Sequence, residues 1–142
     1  MQFWGVKTEA LFDVWSVEHF ITGICTGWLA ARVQGKLQVD TTNNIRLDYY
    51  IKYSFVLLMA AMWEVMEHYL ETGLAGAKVA YWFQGVEHPL NRMLTDPLLL
   101  MLGAAFYFRN KGVYLYARVF SVLWLLVHIF IFPHSMYMQH YF

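Results

Sequence analysis

Three glutamates and a histidine lie near the end of an otherwise apolar stretch, "MAAMWEVMEHYLETG" (59–73). Successive helical residues are about 100° apart, so Glu64, Glu67, His68 and Glu71 would share one face of a helix. His19 belongs to an earlier apolar stretch, where it shares a helical stripe with small and polar residues, and we expect it to point towards the interior. Carboxylate and imidazole groups brought together in this way can bind a metal ion or transfer a proton.

One interpretation of this set is a divalent metal site formed by His19, Glu64, Glu67 and His68. Mixed nitrogen and oxygen donors suit zinc, manganese or iron. The chain has a single cysteine, Cys25, which argues against a thiolate site. The spacing contains no HExxH motif and therefore does not identify the metal.

A second interpretation needs no metal and assigns general acid–base catalysis to Glu64 and His68, with His19 as their partner. The segment "NRMLTD" (91–96) would then bind the substrate through Asn91, Arg92 and Asp96. A guanidinium group binds anions such as phosphate in a fixed geometry, which favours an anionic substrate group at Arg92. Ligation of b-type haem by paired histidines is a further alternative.

The composition favours a membrane protein. Of 142 residues, 59% are hydrophobic and only 14% are charged, whereas about 25% charged residues is usual in soluble domains. A chain of this length cannot bury so much apolar surface in a single core. Runs of about 20 apolar residues are long enough to cross a bilayer. We therefore predict an all-α polytopic membrane protein with one domain, residues 1–142.

The predicted architecture is a bundle of four transmembrane helices. The spans cover about 14–33, 51–70, 93–108 and 113–132, and Pro133 follows the last of them. A short segment, 74–85, contains an aromatic triplet suited to the membrane interface and is predicted to lie between spans two and three. The small-residue pattern "GICTG" (23–27) predicts that another helix approaches the first span closely.

The distribution of Lys and Arg predicts the orientation of these spans. Most of the basic residues fall in the loop after span one and around the loop after span three, which favours a cytoplasmic location for both loops. Both termini would then lie outside the cytoplasm, with the bacterial inner membrane as the expected location. All six histidines and every acidic residue except Asp40 and Asp48 would fall on the outer side.

The same residues carry a resemblance to VanZ-like small membrane proteins. The matching features are His19-Phe20, the "WEVMEH" segment, and "NRMLTDPLLLMLGA" with Arg92, Asp96 and Gly103-Ala104. Leu100 stands where that family usually has asparagine, and Ser16-Val17-Glu18 replaces its usual Asp-Lys before the histidine. The resemblance implies an envelope protein linked to cell-wall or lipid chemistry.

Two functions are expected from these observations. The first is an outward-facing Glu/His/Arg/Asp pocket that binds or acts on a lipid-linked or amphiphilic substrate, with membrane lipids as neighbours. The second is an accessory subunit of a larger haem- or metal-containing membrane complex, respiratory or oxygenase-like, or a homo-oligomer. Nucleic acid is not an expected partner, because the formal net charge is zero and no basic stripe is present.

Overall fold

The fold is mainly helical in the computed structural model, which describes residues 2–37, 44–83 and 85–130. A single π-helical turn, Asn91–Thr95, leads into the fourth helix, and a 3-10 turn, Lys111–Val113, leads into the fifth. A pair of short parallel strands, which the sequence did not predict, places Gln2 opposite Ala10 and Trp4 opposite Phe12. The elements in chain order are β1 (Gln2–Trp4), β2 (Ala10–Phe12), α1 (Val14–Lys36), α2 (Ile45–Glu71), α3 (Ala77–Phe83), α4 (Asp96–Arg109) and α5 (Tyr114–Phe130).

Local sequence explains where the principal helices begin. Asp13 caps α1, because its side chain accepts the N–H groups of Trp15 (2.7 Å) and Ser16 (3.0 Å). The Ser16 hydroxyl in turn accepts the N–H of Asp13 at 3.0 Å, which completes a capping box. Asn44 caps α2 through the N–H of Leu47, and Pro97 stands in the first turn of α4, where no helical N–H is required.

The first helix lies at the centre of the fold and packs against α2, α4 and α5. One apolar core joins α1, α2 and α4 and consists of Ala30, Val56, Ala60, Leu100 and Ala104. A second joins α1, α4 and α5 through Ile24, Tyr107 and Ala117. One core thus links α1 to α2 and the other links α1 to α5, and α4 contributes to both.

Small residues allow α1 and α4 to touch along their backbones. A Cβ atom at Gly23 would overlap the carbonyl of Leu100, and one at Gly103 would overlap the carbonyl of Phe20. A Cβ atom at Gly27 would lie 2.9 Å from the Cα of Ala104, again too close. The close approach predicted from "GICTG" is confirmed, and the partner is α4.

The predicted four-span transmembrane bundle is wrong. Among the described residues, no helix is both long enough and apolar enough to cross a membrane. Helix α4 has only 14 residues, and the described part of α5 has 17. The longer α1 and α2 carry ionisable residues within their length, including Glu18, His19 and Glu64. The prediction of an inner-membrane location with both termini outside the cytoplasm depended on those spans. It is wrong for the same reason.

The predicted spans nevertheless correspond in position to helices. Spans 14–33 and 51–70 fall within α1 and α2, and α2 begins six residues earlier than its span, at Ile45. Span 93–108 covers most of the π-helical turn and α4, and the interfacial segment 74–85 contains α3. Positions 131 and 132 of the fourth span, Pro133 and the C-terminus lie outside the described residues.

Candidate functional site: a buried acidic cluster

The last two turns of α2 turn their charged face inwards. Glu64, Glu67 and Glu71 are all buried, whereas Val65, between them in sequence, is 72% exposed. Positions 64, 67 and 71 share a face because they are three and four residues apart. This part of α2 therefore reverses the usual arrangement, in which apolar residues face the interior and charged residues face outwards.

Three further acids complete what we call the acidic cluster. Asp13 comes from the start of α1, Glu87 from the loop before the π-helical turn, and Asp96 from the start of α4; all three are buried. The acidic cluster is defined as Asp13, Glu64, Glu67, Glu71, Glu87 and Asp96. It brings together residues from four separate parts of the chain.

Lys7 is one of two basic residues that form ion pairs with the acidic cluster. Its side chain is 1% exposed and forms an ion pair with Glu71, and its Nζ lies 3.6 Å from Glu67 Oε1. The Lys7 carbonyl accepts the N–H of His88 at 2.8 Å, which ties the segment between β1 and β2 to the loop that carries Glu87. Pairing explains how an ammonium group can be buried here.

Arg92 is the second cation, and carboxylates surround it. Its guanidinium group forms an ion pair with Glu71 and lies 3.7 Å from Glu87 Oε2 and 3.8 Å from Glu64 Oε2. Its Nη1 also lies 2.9 Å from His68 Nδ1. Because its charge is already matched by several carboxylates, Arg92 is poorly placed to attract an anionic substrate.

Asn91 links two acids of the cluster through its amide group. Its Nδ2 donates to Glu87 Oε1 at 2.9 Å and to Asp13 Oδ2 at 3.2 Å. Glu87 is held from its backbone as well, since its N–H donates to Glu71 Oε2 at 3.1 Å. The N-terminal cap of α1, the π-helical turn and the end of α2 are thereby connected by polar contacts.

His19, Glu64 and Asp96 converge at the inner side of the cluster. All three are buried, and one potential ligand atom from each lies within 4.8 Å of the others. His19 Nε2 is 3.5 Å from Asp96 Oδ2. Asp96 is 0% exposed, and neither of its oxygens accepts a hydrogen bond from a permanent donor. We call these three residues the His19 triad.

Burial changes the protonation of these groups. Burial, followed by repulsion from Glu67 and Glu87, raises the pKa of Glu64 to about 8. Burial, then repulsion from Glu87 and Asp13, raises the pKa of Asp96, and burial followed by repulsion from Glu67 raises that of Glu87. Asp96 and Glu87 can form a hydrogen bond only when one of the two carboxyl groups holds a proton.

The imidazole of His19 responds in the opposite sense. Burial lowers the pKa of His19 to about 4, because it disfavours the charged form of a base. At neutral pH the ring is therefore uncharged. A neutral imidazole offers a nitrogen lone pair, which is the form required of a metal ligand or a general base.

The structure separates the residues that the sequence grouped together. His19 and Glu64 meet each other, with Asp96 as the third member of the triad. Glu67 instead lies beside Lys7, and His68 is exposed and contacts Arg92. Asn91 contacts two carboxyl groups of the cluster, and Arg92 lies within 3.8 Å of three. The side chain of His128, in α5, lies outside the described residues.

The site predicted from the sequence omitted Lys7, Asp13, Glu71 and Glu87. Asp13 carries a readable signal, since aspartate is one of the preferred N-cap residues and stands directly before an apolar stretch. No local pattern marks Lys7, whose main partner Glu71 is 64 positions away in sequence. Contacts of this kind become visible only in the folded chain.

Comparison of the chain with protein-family models, with curated proteins and with solved structures finds no match. The resemblance to VanZ-like proteins is not tested by these comparisons and stays a prediction. Functional inference therefore depends on the geometry of the site.

Proposed function

We propose that the protein binds a divalent cation in the acidic cluster. The observation that supports this function is the charge balance of a buried region, in which six carboxyl groups surround two permanent cations, Lys7 and Arg92. An unpaired charge removed from water is strongly unfavourable. The region therefore takes up additional positive charge, either as protons on its carboxyl groups or as a metal ion, which supplies the charge compactly.

Both internal cations are already engaged at one side of the cluster. Lys7 and Arg92 converge on Glu71, whereas Asp96 forms no ion pair with either of them. The deficit of positive charge is thus greatest around Asp96. An anionic substrate would be repelled by this surplus of carboxylates, so the expectation of an anion bound by Arg92 is replaced here by a bound cation.

Thermal unfolding with and without added cations tests this function. A ligand that binds only the folded state stabilises it by about 2.7 kcal/mol at 100 times its dissociation constant. Millimolar Mg²⁺, Ca²⁺, Mn²⁺ and Zn²⁺ should be compared with Na⁺ at equal ionic strength. We expect at least one divalent ion to raise the melting temperature in a saturable manner, and the Glu64→Gln/Asp96→Asn double variant to lose this response.

Protons are the competing source of positive charge. If no divalent ion raises the melting temperature more than Na⁺ does, protonated carboxyl groups alone balance the cluster and the proposed function is wrong. The Glu18→Gln variant is a matched control, because Glu18 lies next to His19 in sequence but bonds to Thr22 and Ser121 outside the cluster. Its response to divalent ions should equal that of the unmodified protein.

A second candidate function is that of a subunit in a larger assembly, with a second copy of this chain as the simplest partner. Large apolar side chains are exposed on several helices, including Val65 of α2, Leu98 of α4 and Tyr116 of α5. An open apolar groove lined by Ile21, Ile24, Ala117 and Phe120 also runs between α1 and α5. Monomeric proteins rarely expose large contiguous apolar patches.

Light scattering coupled to size-exclusion chromatography tests this candidate. A homo-oligomer should have a mass that is a multiple of 16.8 kDa, and Tyr116→Glu should lower that mass. A mass of 16.8 kDa at all concentrations would exclude self-association as the reason for the exposed apolar surface.

A further inference from the structure

The His19 triad has the geometry of a small coordination site. Its three potential ligand atoms lie within 4.8 Å of one another, close enough for one ion to contact all three after small side-chain movements. The residues come from three different helices, since His19 lies in α1, Glu64 in α2 and Asp96 in α4. One bound ion would therefore join the three central helices.

Asp96 provides independent evidence that the triad accepts a ligand. The residue is 0% exposed, yet neither carboxyl oxygen accepts a hydrogen bond from a permanent donor. The nearest basic group is His19 Nε2, which at 3.5 Å forms no hydrogen bond with it. Buried polar atoms are satisfied in the great majority of cases. Asp96 can meet this requirement by sharing a proton with Glu87, or by binding a cation that the His19 imidazole also ligates.

Glu64 shows the same deficiency. Its Oε2 is buried and accepts no hydrogen bond, and the closest cationic atom is Arg92 Nε at 3.8 Å. Arg92 itself is held in position by its ion pair with Glu71. A carboxylate oxygen of Glu64 lies within 4.8 Å of ligand atoms of both His19 and Asp96, so this side chain can reach a ligand that they share.

The donor set discriminates between classes of metal. One imidazole nitrogen and two carboxylate oxygens suit Zn²⁺, Mn²⁺, Fe²⁺ or Co²⁺, whereas Ca²⁺ and Mg²⁺ prefer sites made of oxygen alone. No cysteine belongs to the triad, which disfavours metals that require thiolate. Three protein donors also leave at least one coordination position for water or for an oxygen atom of a substrate.

We propose that His19, Glu64 and Asp96 bind one divalent first-row transition-metal ion, with a remaining position open to water. The proposal rests on the proposed cation-binding function and narrows it to three ligands and one class of metal. Glu67 and His68 do not belong to this site, since Lys7 and Arg92 respectively contact them.

Equilibrium dialysis followed by elemental analysis tests the proposal on the full chain. The metal-free protein is dialysed separately against Mn²⁺, Co²⁺, Zn²⁺, Mg²⁺ and Ca²⁺ at equal concentration. We expect one Mn²⁺, Co²⁺ or Zn²⁺ per chain, with at least about a 100-fold preference over Mg²⁺ and Ca²⁺. His19→Gln, Glu64→Gln and Asp96→Asn should each weaken binding by more than about 100-fold, because loss of outer-shell partners alone costs about 10–100-fold.

Matched variants separate the triad from its neighbours. His68→Gln and Glu18→Gln remove an imidazole and a carboxylate that lie near the triad in sequence but outside it in the structure, and both should retain metal at full stoichiometry. Circular dichroism of each metal-free variant verifies that it is folded. The visible absorption of bound Co²⁺ should change with His19→Gln and stay unchanged with His68→Gln.

The possible results distinguish the transition-metal site in the His19 triad from the broader proposal that the acidic cluster binds a divalent cation. Preferential binding of Mg²⁺ or Ca²⁺, or loss of metal in the folded His68→Gln variant but not in the folded His19→Gln variant, overturns the transition-metal site while cation binding stands. Absence of all divalent binding overturns both.

Discussion

Two regions of the central helix α1 are packed by opposite means. Near its start, His19 faces ionisable residues of α2 and α4. The neighbouring interior is held together by the ion pairs of Lys7 and Arg92 and by the hydrogen bonds of Asn91. One turn later Gly23, and after it Gly27, allow the backbone of α4 to touch α1 without intervening side chains. In the glycine region, around Gly23 and Gly27, no side chain fits between the two helices. In the acidic region, which consists of the acidic cluster and His19, carboxyl groups are buried together although the burial of each one alone would be unfavourable.

This difference indicates which of the two regions serves a function beyond the stability of the fold. Close contact between glycine-bearing helices improves packing and requires no further explanation. A buried cluster of carboxyl groups is often no more stable than an apolar core of the same volume. We therefore infer that the glycine region fixes the arrangement of α1 and α4, and that the acidic region uses this fixed arrangement to hold a ligand.

Substitution in the glycine region should have the largest effect on stability. In Gly103→Val, the new side chain would overlap the carbonyl of Phe20, a backbone group that cannot move without separating the helices. We expect a loss of more than about 3 kcal/mol in the free energy of unfolding, at the upper end of overpacking effects. Urea denaturation measures it.

Gly35→Ala is the control for this substitution. No atom lies within 4 Å of a Cβ placed at Gly35, and alanine favours helix more than glycine does. The free energy of unfolding of Gly35→Ala should increase by up to about 1 kcal/mol. A fully stable Gly103→Val protein would show that the close contact between α1 and α4 does not determine the fold.

Removal of a buried cation should be the next largest effect. Lys7→Met leaves Glu71 and Glu67 without their ammonium partner, and breaking a buried pair from one side costs about 3–5 kcal/mol. The exposed Lys78→Met should change the free energy of unfolding by less than about 0.5 kcal/mol. Urea denaturation measures both effects. Equal losses for the two substitutions would show that Lys7 does not form a stabilising ion pair with the acidic cluster.

These two regions also mark the limits of prediction from this sequence. The positions of the helices follow from apolar runs and caps, and the contact at Gly23 follows from a local small-residue pattern. The acidic face of α2 and its approach to His19 were predicted, but its pairing with Lys7 was not, because the Lys7–Glu71 pair joins residues far apart in the chain. The transmembrane prediction treated each apolar run as a span, although α4 is short and α2 carries three glutamates.

The metal-free protein should lose stability as pH rises from 6.5 to 8. In this range Glu64 and the Glu87–Asp96 pair keep protons in the folded state, because burial raises their pKa values, that of Glu64 to about 8, and they are ionised when unfolded. Each retained proton lowers the free energy of unfolding by up to about 1.4 kcal/mol per pH unit. His19, whose folded pKa is about 4, opposes this trend mainly below about pH 7, because its imidazole is protonated there only in the unfolded state.

Urea denaturation across this pH range provides the measurement, and Glu87→Gln should show a smaller slope than the unmodified protein. A free energy of unfolding that increases from pH 6.5 to 8 would contradict the assignment of protonated carboxyl groups to the acidic region.

Asp96→Asn should have the smallest effect on the stability of the metal-free protein. The asparagine amide resembles the protonated carboxyl group that the buried site favours at neutral pH, so we expect a change within about 1 kcal/mol. Calorimetry of the metal-free and metal-loaded variant would show stability retained and the metal response lost. A large loss of stability without metal would instead make Asp96 a structural residue.

A crystal structure of the protein grown with Mn²⁺ or Zn²⁺, analysed by anomalous scattering, tests the central claim most directly. We predict one anomalous peak at about 2.0–2.2 Å from His19 Nε2 and from a carboxylate oxygen of both Glu64 and Asp96. A peak located between Glu67, His68 and Glu71, or no peak within the acidic cluster, would contradict the assignment.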